Sequence, residues 1–176
     1  MTALIQTPDP ESATGEVQKG YDTSKKRGIK MPDPLRLISA SPGYFSIMMK
    51  RNNYYSNHPR LSFSLLAHIR YYAAARLGYG FCTRFNRRLI KKMGVSDLDF
   101  QKMEKQPEAS LLEPDETAML LFVICAMNDP ESVSHKDIEP LRQAGWQDSD
   151  ILDALAQGVG MFDHHIFMRV FKPAYD

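Results

Sequence analysis

Apolar residues in this chain repeat every three or four positions, and this spacing restricts the chain to helices. Between Ser62 and Gly78 one stripe of apolar side chains would cover a single helix face: Leu65, Leu66, Ile69, Ala73 and Leu77. No segment alternates apolar and polar residues as a half-buried strand does, and no Asn-Gly pair marks a hairpin. We therefore predict an all-α bundle of antiparallel helix pairs.

Prolines, glycines and capping residues divide the remainder of the chain into further helices. Besides 62–78, the predicted helices cover 11–26, 35–40, 42–56, 81–93, 118–127, 134–144 and 148–171, and another opens at Ser96. Gly94 and Gly145 are placed to end helices in the left-handed conformation. Gly158 and Gly160, inside the last helix, predict a kink or a close backbone contact. Two pairs resemble capping boxes, Ser96 with Asp99 and Ser134 with Asp137.

The same patterns predict which helix faces are buried. The run from Met119 to Met127 is apolar nearly all round, so we expect a core helix with Cys125 inside it. Trp146 is expected to be a packing anchor. Two further apolar faces are predicted: Cys82, Phe85, Leu89 and Met93 on one helix, and Ile151, Leu155, Val159, Phe162 and Ile166 on the last.

Length and composition exclude several classes of protein. With 176 residues, 43% hydrophobic and 24% charged, we predict a single globular domain over 1–176, with an outer arm at 1–30 and a central helix pair at 61–94. A net charge of +1 gives no general attraction to nucleic acid. No apolar run reaches the roughly 18 residues of a membrane span, and residues 1–10 lack the features of a signal peptide. Two cysteines, Cys82 and Cys125, fit a cytoplasmic protein better than a disulfide scaffold.

A set of short motifs, taken in order, is similar to one known family. They are Met31-Pro-Asp-Pro-Leu-Arg-Leu-Ile-Ser-Ala-Ser-Pro, Leu61-Ser, Cys82 twelve residues before Gly94-Val-Ser-Asp, Asp115-Glu-Thr-Ala, Ala144-Gly-Trp, Ile151-Leu-Asp-Ala and Phe171-Lys. With this order and spacing the chain resembles the alkylhydroperoxidase D / carboxymuconolactone decarboxylase superfamily. The resemblance implies an all-helical protomer that forms homo-oligomers. If the protein is an enzyme, it implies a peroxidase-related oxidoreductase or a lyase of the decarboxylase branch.

The resemblance also indicates where the family's chemistry would lie. The peroxidase branch uses a Cys-x-x-Cys-x-x-x-His motif and a glutamate on the preceding helix, which activate the second cysteine as a thiolate. That second cysteine matches Cys82. The first cysteine position holds Tyr79, the histidine position Asn86, and the glutamate position Ala67. The dithiol and its proton relay are therefore missing, and the decarboxylase branch loses its acid–base groups at the same place.

Polar and aromatic side chains cluster around this position: His68, Arg70, Tyr71, Tyr72, Arg76, Tyr79 and Asn86. Cys82 has two interpretations, an inert packing thiol in an apolar site or a one-cysteine redox centre helped by a helix N-terminus and Arg84. The cluster is either a remodelled pocket for a small polar or anionic ligand or a site filled by bulky side chains. We take Cys82 as the catalytic candidate and predict these pocket residues: His68, Tyr72, Arg76, Tyr79, Asn86 and His164.

Other residues carry weaker signals. His164 and His165 are adjacent on a helix and point about 100° apart, so they make no simple metal pair. No metal or organic cofactor is predicted, because no spacing of ligands or phosphate loop is present. A basic stripe is either a solvated face or a dock for an anion: Arg84, Arg87, Arg88 and Lys91. His58 and His135 lie at helix boundaries as local caps.

Three hypotheses follow for function. The first is a divergent superfamily member that binds a small ligand, or has a non-peroxidatic activity, in a remodelled pocket. The second is a weak single-cysteine peroxidase, an antioxidant protein that uses Cys82 and an external thiol. The third is a non-catalytic scaffold subunit of an oligomer. None of them requires nucleic acid or a membrane as partner.

Overall fold

The structure is a computed structural model that describes residues 4–173. Within that range it contains α-helices, short 3₁₀ turns at Pro107–Ala109 and Pro130–Ser132, and no strand, which confirms the all-α prediction. The ten helices are α1 (Gly15–Lys26), α2 (Asp33–Ile38), α3 (Pro42–Ser56), α4 (Phe63–Arg76), α5 (Gly80–Lys92), α6 (Asp97–Lys105), α7 (Pro114–Asn128), α8 (His135–Gln143), α9 (Asp148–Val159) and α10 (Met161–Phe171).

The chain divides into two compact units, which are described separately. The first comprises residues 1–57 and 164–176, of which 4–57 and 164–173 are described. Its core forms where α1 packs on α3, around Val17 and the fully buried Phe45. The helix α1 therefore rests on a neighbour, as its polar sequence predicts. The first three residues of the predicted 1–30 arm lie outside the described residues, and a single domain over the whole chain stays a prediction.

The second unit, residues 58–163, is built around α4. This helix packs against α5, α7 and α9, and Tyr71 meets Phe100 of α6 edge to face with ring centroids 5.0 Å apart. Small side chains let the neighbours approach, since Ala67 and Ala74 are both completely buried. The predicted central helix pair is thus present as α4 and α5.

Helix ends follow the local chemistry of the sequence. The Ser62 hydroxyl accepts the Leu65 amide at 3.0 Å and caps α4. A complete capping box joins Ser134 and Asp137 at the start of α8. Gly94 and Gly145 have φ of 99° and 94°, the left-handed conformation that was predicted for both.

The prediction of one continuous helix over 148–171 is wrong. This segment is divided at Gly160 into α9 and α10. The close backbone contact predicted for this segment is found at Gly158. A Cβ there would lie 2.7 Å from Sδ of Met127 and 3.1 Å from Cγ1 of Val123. A break between two helices at Gly160 and a close approach of α9 to α7 at Gly158 therefore occur within three residues of each other.

Three predictions of burial are also wrong. Cys125 is exposed, because α7 turns its other faces, with Met119, Leu120 and Val123, toward the core. The stripe on the last helix is buried at Ile151 but open from the end of α9 onward, with Val159 52% and Phe162 51% exposed and Ile166 also exposed. On α5 the predicted apolar face is partly open as well, since Phe85 and Met93 are exposed.

Candidate functional site

The turn between α4 and α5 places Cys82 in the first turn of α5. Gly78 adopts φ of 65°, and the Tyr79 amide donates to the Ala74 carbonyl at 2.8 Å, which closes the C-terminus of α4. This turn buries Tyr79, with 5% of its surface exposed, directly before the helix that carries Cys82. The two helices pack side by side, so groups on α4 face the first turns of α5.

Two side chains and one backbone carbonyl from these helices form a continuous polar chain. Nε of Arg70 on α4 donates to Oδ1 of Asn86 on α5 at 2.9 Å. Nδ2 of Asn86 in turn donates to the carbonyl oxygen of Cys82 at 2.9 Å. Asn86 is 1% exposed, so both ends of its amide are engaged inside the protein. The residue at the family's histidine position therefore bridges a guanidinium and the backbone.

The thiol of Cys82 is partly buried, and burial raises its pKa to about 11. Two neighbours lower the same pKa by smaller amounts: the hydroxyl of Tyr79 and the positive charge of Arg70. Because burial dominates, the thiol is protonated at neutral pH. A helix N-terminus alone does not make it a thiolate.

Arg70 has an unusual environment for a cation. Burial lowers the pKa of its guanidinium to about 10, and Cys82 is the ionisable group that acts against this shift. Within residues 4–173 its terminal nitrogens have no hydrogen-bond or ion-pair partner, and neither is sealed from solvent. Its charge is thus held next to Cys82 without a carboxylate. The sequence placed Arg70 in the polar cluster but not among the predicted pocket residues, because its partner lies 16 residues away on another helix.

Aromatic rings lie beside this polar chain. The Arg70 guanidinium stands over the Phe63 ring, 6.0 Å from its centroid. On α5, Phe81 and Phe85 stack with centroids 6.4 Å apart and planes at 4°. Phe63 is 57% exposed, so the site combines a cation with open ring surface.

His68 lies on α4, one residue after the position of the family's glutamate. It is 1% exposed, and its Nδ1 donates to the Ser64 carbonyl at 2.8 Å. This bond assigns the ring proton to Nδ1, and Nε2 is buried with no partner among the described residues. Burial lowers the pKa of His68, so the ring is neutral at neutral pH.

Tyr72 and Arg76 line a cavity of about 200 Å³ between α4 and α7. The Tyr72 hydroxyl donates to the Met103 carbonyl, and burial raises its pKa. Cys82 does not line this cavity. Tyr72 and Arg76 are therefore on the same helix as Arg70, but they face α7 and not the first turn of α5.

The last predicted pocket residue, His164, is partly buried on α10 and belongs to the first unit. Cys125 lies on α7, exposed. No group of three metal-binding side chains occurs between residues 4 and 173. No helix in that range is long and apolar enough to cross a membrane.

Part of the basic stripe on α5 is ion-paired with α6. Lys91 contacts Asp97 at 2.7 Å, and Arg87 lies 3.6 Å from Glu104 and 4.6 Å from the Phe100 ring centroid. These contacts favour the interpretation of a solvated, partly neutralised face. Arg84 and Arg88 of the same stripe are exposed.

Comparison with known proteins gives matches in structure and none in sequence. No protein-family model matches the chain, and no curated protein matches it. An uncharacterized peroxidase-related protein from Silicibacter sp. TM1040 superposes with a TM-score of 0.79 at 16% identity, over 99% of this chain and 92% of that one. An uncharacterized peroxidase-related protein with an alkylhydroperoxidase AhpD core, from Ralstonia eutropha JMP134, superposes at 0.81 with 15% identity, over 100% and 93%.

These matches show the fold. The chain has the all-helical fold of AhpD-like, peroxidase-related proteins along nearly its whole length. At this identity they do not transfer an activity.

Proposed function

We propose that this chain is a divergent member of the alkylhydroperoxidase D-like superfamily whose site beside Cys82 binds a small ligand and does not turn over peroxides. One observation carries the proposal: the Asn86 amide is fixed between Arg70 and the Cys82 carbonyl. The resemblance in sequence assigns Asn86 to the position of the histidine that would take the thiol proton.

The chemistry of the amide supports this. A peroxidatic cysteine attacks as a thiolate, so a neighbouring group must accept its proton or stabilise its charge. An amide does not take up a proton at neutral pH, and both ends of this one are already hydrogen-bonded. Tyr79 also replaces the resolving thiol, and a phenol forms no disulfide with an oxidised cysteine.

The second candidate function is a single-cysteine peroxidase. It is favoured by one observation, because Tyr79 and Arg70 both lower the Cys82 pKa. In this case the Cys82 thiolate would attack a hydroperoxide, the O–O bond would break, and sulfenic acid and an alcohol would form. Two electrons from two external thiols would then return the sulfenic acid to the thiol with release of water. This activity needs the thiolate, which burial disfavours.

Thiol reactivity separates the two candidates. Cys125 is exposed and would react with any reagent, so the experiment uses Cys125→Ser, with the double variant Cys82→Ser, Cys125→Ser as background. The folded protein is treated at neutral pH with dilute cumene hydroperoxide and then with dimedone, which traps sulfenic acid, and is weighed by mass spectrometry. We expect no adduct at Cys82 until the protein is denatured. Rapid trapping in the folded protein would overturn the proposal and establish the single-cysteine peroxidase.

A further inference from the structure

We infer that Arg70 is the receptor for the carboxylate of a small apolar acid, bound through the two terminal nitrogens of its guanidinium. The inference rests on the proposed function, because it names the class of ligand for the same site. Arg70 is held at Nε by Asn86, and the two terminal nitrogens face no protein partner among the described residues.

Charge balance is the first argument. A partly buried cation without a counter-ion is unfavourable, since desolvation is not offset by a pairing charge. The ionisable neighbour that affects Arg70 is Cys82, and that thiol is neutral at neutral pH. Glu104, the acid that accepts a hydrogen bond from the hydroxyl of the adjacent residue Tyr71 at 2.7 Å, already pairs with Arg87. A negative charge from a ligand would therefore complete the site.

Geometry is the second argument. A guanidinium is planar, and its terminal N–H groups match the two oxygens of a carboxylate in a bidentate pair. The bond from Nε to Asn86 fixes the plane, so the fork is oriented before a ligand arrives. Such preorganisation lowers the entropic cost of binding. Asn86 is thus a positioning residue, and Arg70 is the group that touches the ligand.

The aromatic ring beside Arg70 indicates the chemistry of the part of the ligand that does not carry the carboxylate. The Phe63 ring centroid lies 6.0 Å from the Arg70 guanidinium, and this side chain is 57% exposed. Open aromatic surface beside a cation favours an apolar or aromatic body that carries one carboxylate. Benzoate has this chemistry, and benzamide has nearly the same shape without the charge.

The test is calorimetric titration of the full chain at neutral pH with benzoate, benzamide and inorganic phosphate. We expect benzoate to bind, and benzamide and phosphate to bind at least about tenfold more weakly, which is the usual scale of a charge-assisted hydrogen-bonded pair. Arg70→Gln should weaken the binding of benzoate by at least the same factor. Arg88→Gln removes an exposed charge from α5 and should leave binding unchanged.

A second variant covers the case in which Arg70→Gln fails to fold, as judged by circular dichroism. Asn86→Asp places an internal carboxylate at Nε of Arg70, so benzoate should be excluded while the guanidinium remains. Benzoate affinity that is unchanged in either variant that folds would overturn the inference, as would benzamide or phosphate binding as tightly as benzoate. Tight benzamide binding would leave the proposed function standing, whereas trapping of Cys82 sulfenic acid would overturn the function itself.

Discussion

Arg70 and Asn86 join α4 to α5 through a 2.9 Å hydrogen bond from Nε to Oδ1. Because a guanidinium only donates, this bond assigns the amide oxygen to the side of Arg70 and the amide nitrogen to the Cys82 carbonyl. A single buried side chain therefore sets the orientation of the arginine and supports the backbone beside the thiol. Both properties depend on an amide and would be lost with an apolar residue.

Asn86→Ala is expected to lower the free energy of unfolding by about 1–3 kcal/mol, because it leaves the Arg70 Nε–H without its partner. Urea unfolding followed by circular dichroism measures the change. Asn52→Ala, the same substitution at an exposed position of α3, should change stability by less than about 0.5 kcal/mol. Equal losses in the two variants would show that the bridge contributes nothing specific.

The alkylation of Cys82 should have an alkaline profile. In Cys125→Ser, the rate with iodoacetamide is expected to rise with pH toward a midpoint at about pH 11, since burial raises the thiol pKa from 9.0 to about 11. The thiolate, which is the reactive form, is disfavoured at every pH below that midpoint, and at pH 9 about one molecule in a hundred carries it. The same protein in urea serves as the reference for an ordinary thiol.

Tyr79→Phe extends this measurement. The Tyr79 hydroxyl lowers the Cys82 pKa, so its removal should shift the alkylation midpoint further upward and slow the reaction at any fixed pH. A midpoint at or below pH 9 in the folded parent would contradict the burial argument. A downward shift in Tyr79→Phe would contradict the role of the hydroxyl.

Gly158→Ala should destabilise the second unit by about 1–3 kcal/mol, the usual cost of overpacking a core. The new Cβ would stand 2.7 Å from Met127 Sδ and 3.1 Å from Val123 Cγ1, and the β-branched valine yields little. Thermal unfolding measures the loss. Gly43→Ala is the matched control, because nothing lies within 4 Å of its Cβ position in α3 and the change should stabilise by up to about 1 kcal/mol. Comparable melting temperatures for the two variants would contradict the close approach.

Arg60→Ala should also destabilise the second unit, by about 1–3 kcal/mol, through the loss of charge-assisted bonds. Its Nε contacts Oδ2 of Asp150 at 2.6 Å, its Nη2 donates to the Gly145 carbonyl, and its guanidinium lies over Trp146. Asp150 is 2% exposed, so the variant leaves a buried carboxylate with one partner fewer. A double-mutant cycle with Asp150→Asn measures the coupling by urea unfolding, and a coupling near zero would show that the ion pair is unimportant.

Local chemistry explains which features were predictable. The helices, the left-handed glycines at Gly94 and Gly145 and the Ser134 cap depend on residues within one or two turns, so their signals are complete in the sequence. The four-residue spacing of Cys82 and Asn86 likewise places both on one helix face. His58 caps its segment as expected, because its Nδ1 accepts the Leu61 amide at 2.9 Å.

Features that depend on helix packing could not be predicted from local sequence signals. The exposure of Cys125 and Ile166 follows from which helix faces meet, and periodicity does not distinguish a face that is covered from one that is left open. The Asp153 partner of His58, 3.3 Å away at Nε2, comes from a helix 95 residues further along the chain.

The sequence by itself determined an all-helical chain, most of its helix ends and the position of Cys82 beside a residue that cannot relay a proton, because each of these depends on near neighbours. The tertiary structure decided the environment of those residues. It placed Arg70 against Asn86, withdrew Cys82 from solvent and left a guanidinium without a carboxylate among the described residues. Burial and charge pairing result from the packing of distant segments, and the electrostatics of the site therefore became defined only when α4 and α5 were placed side by side.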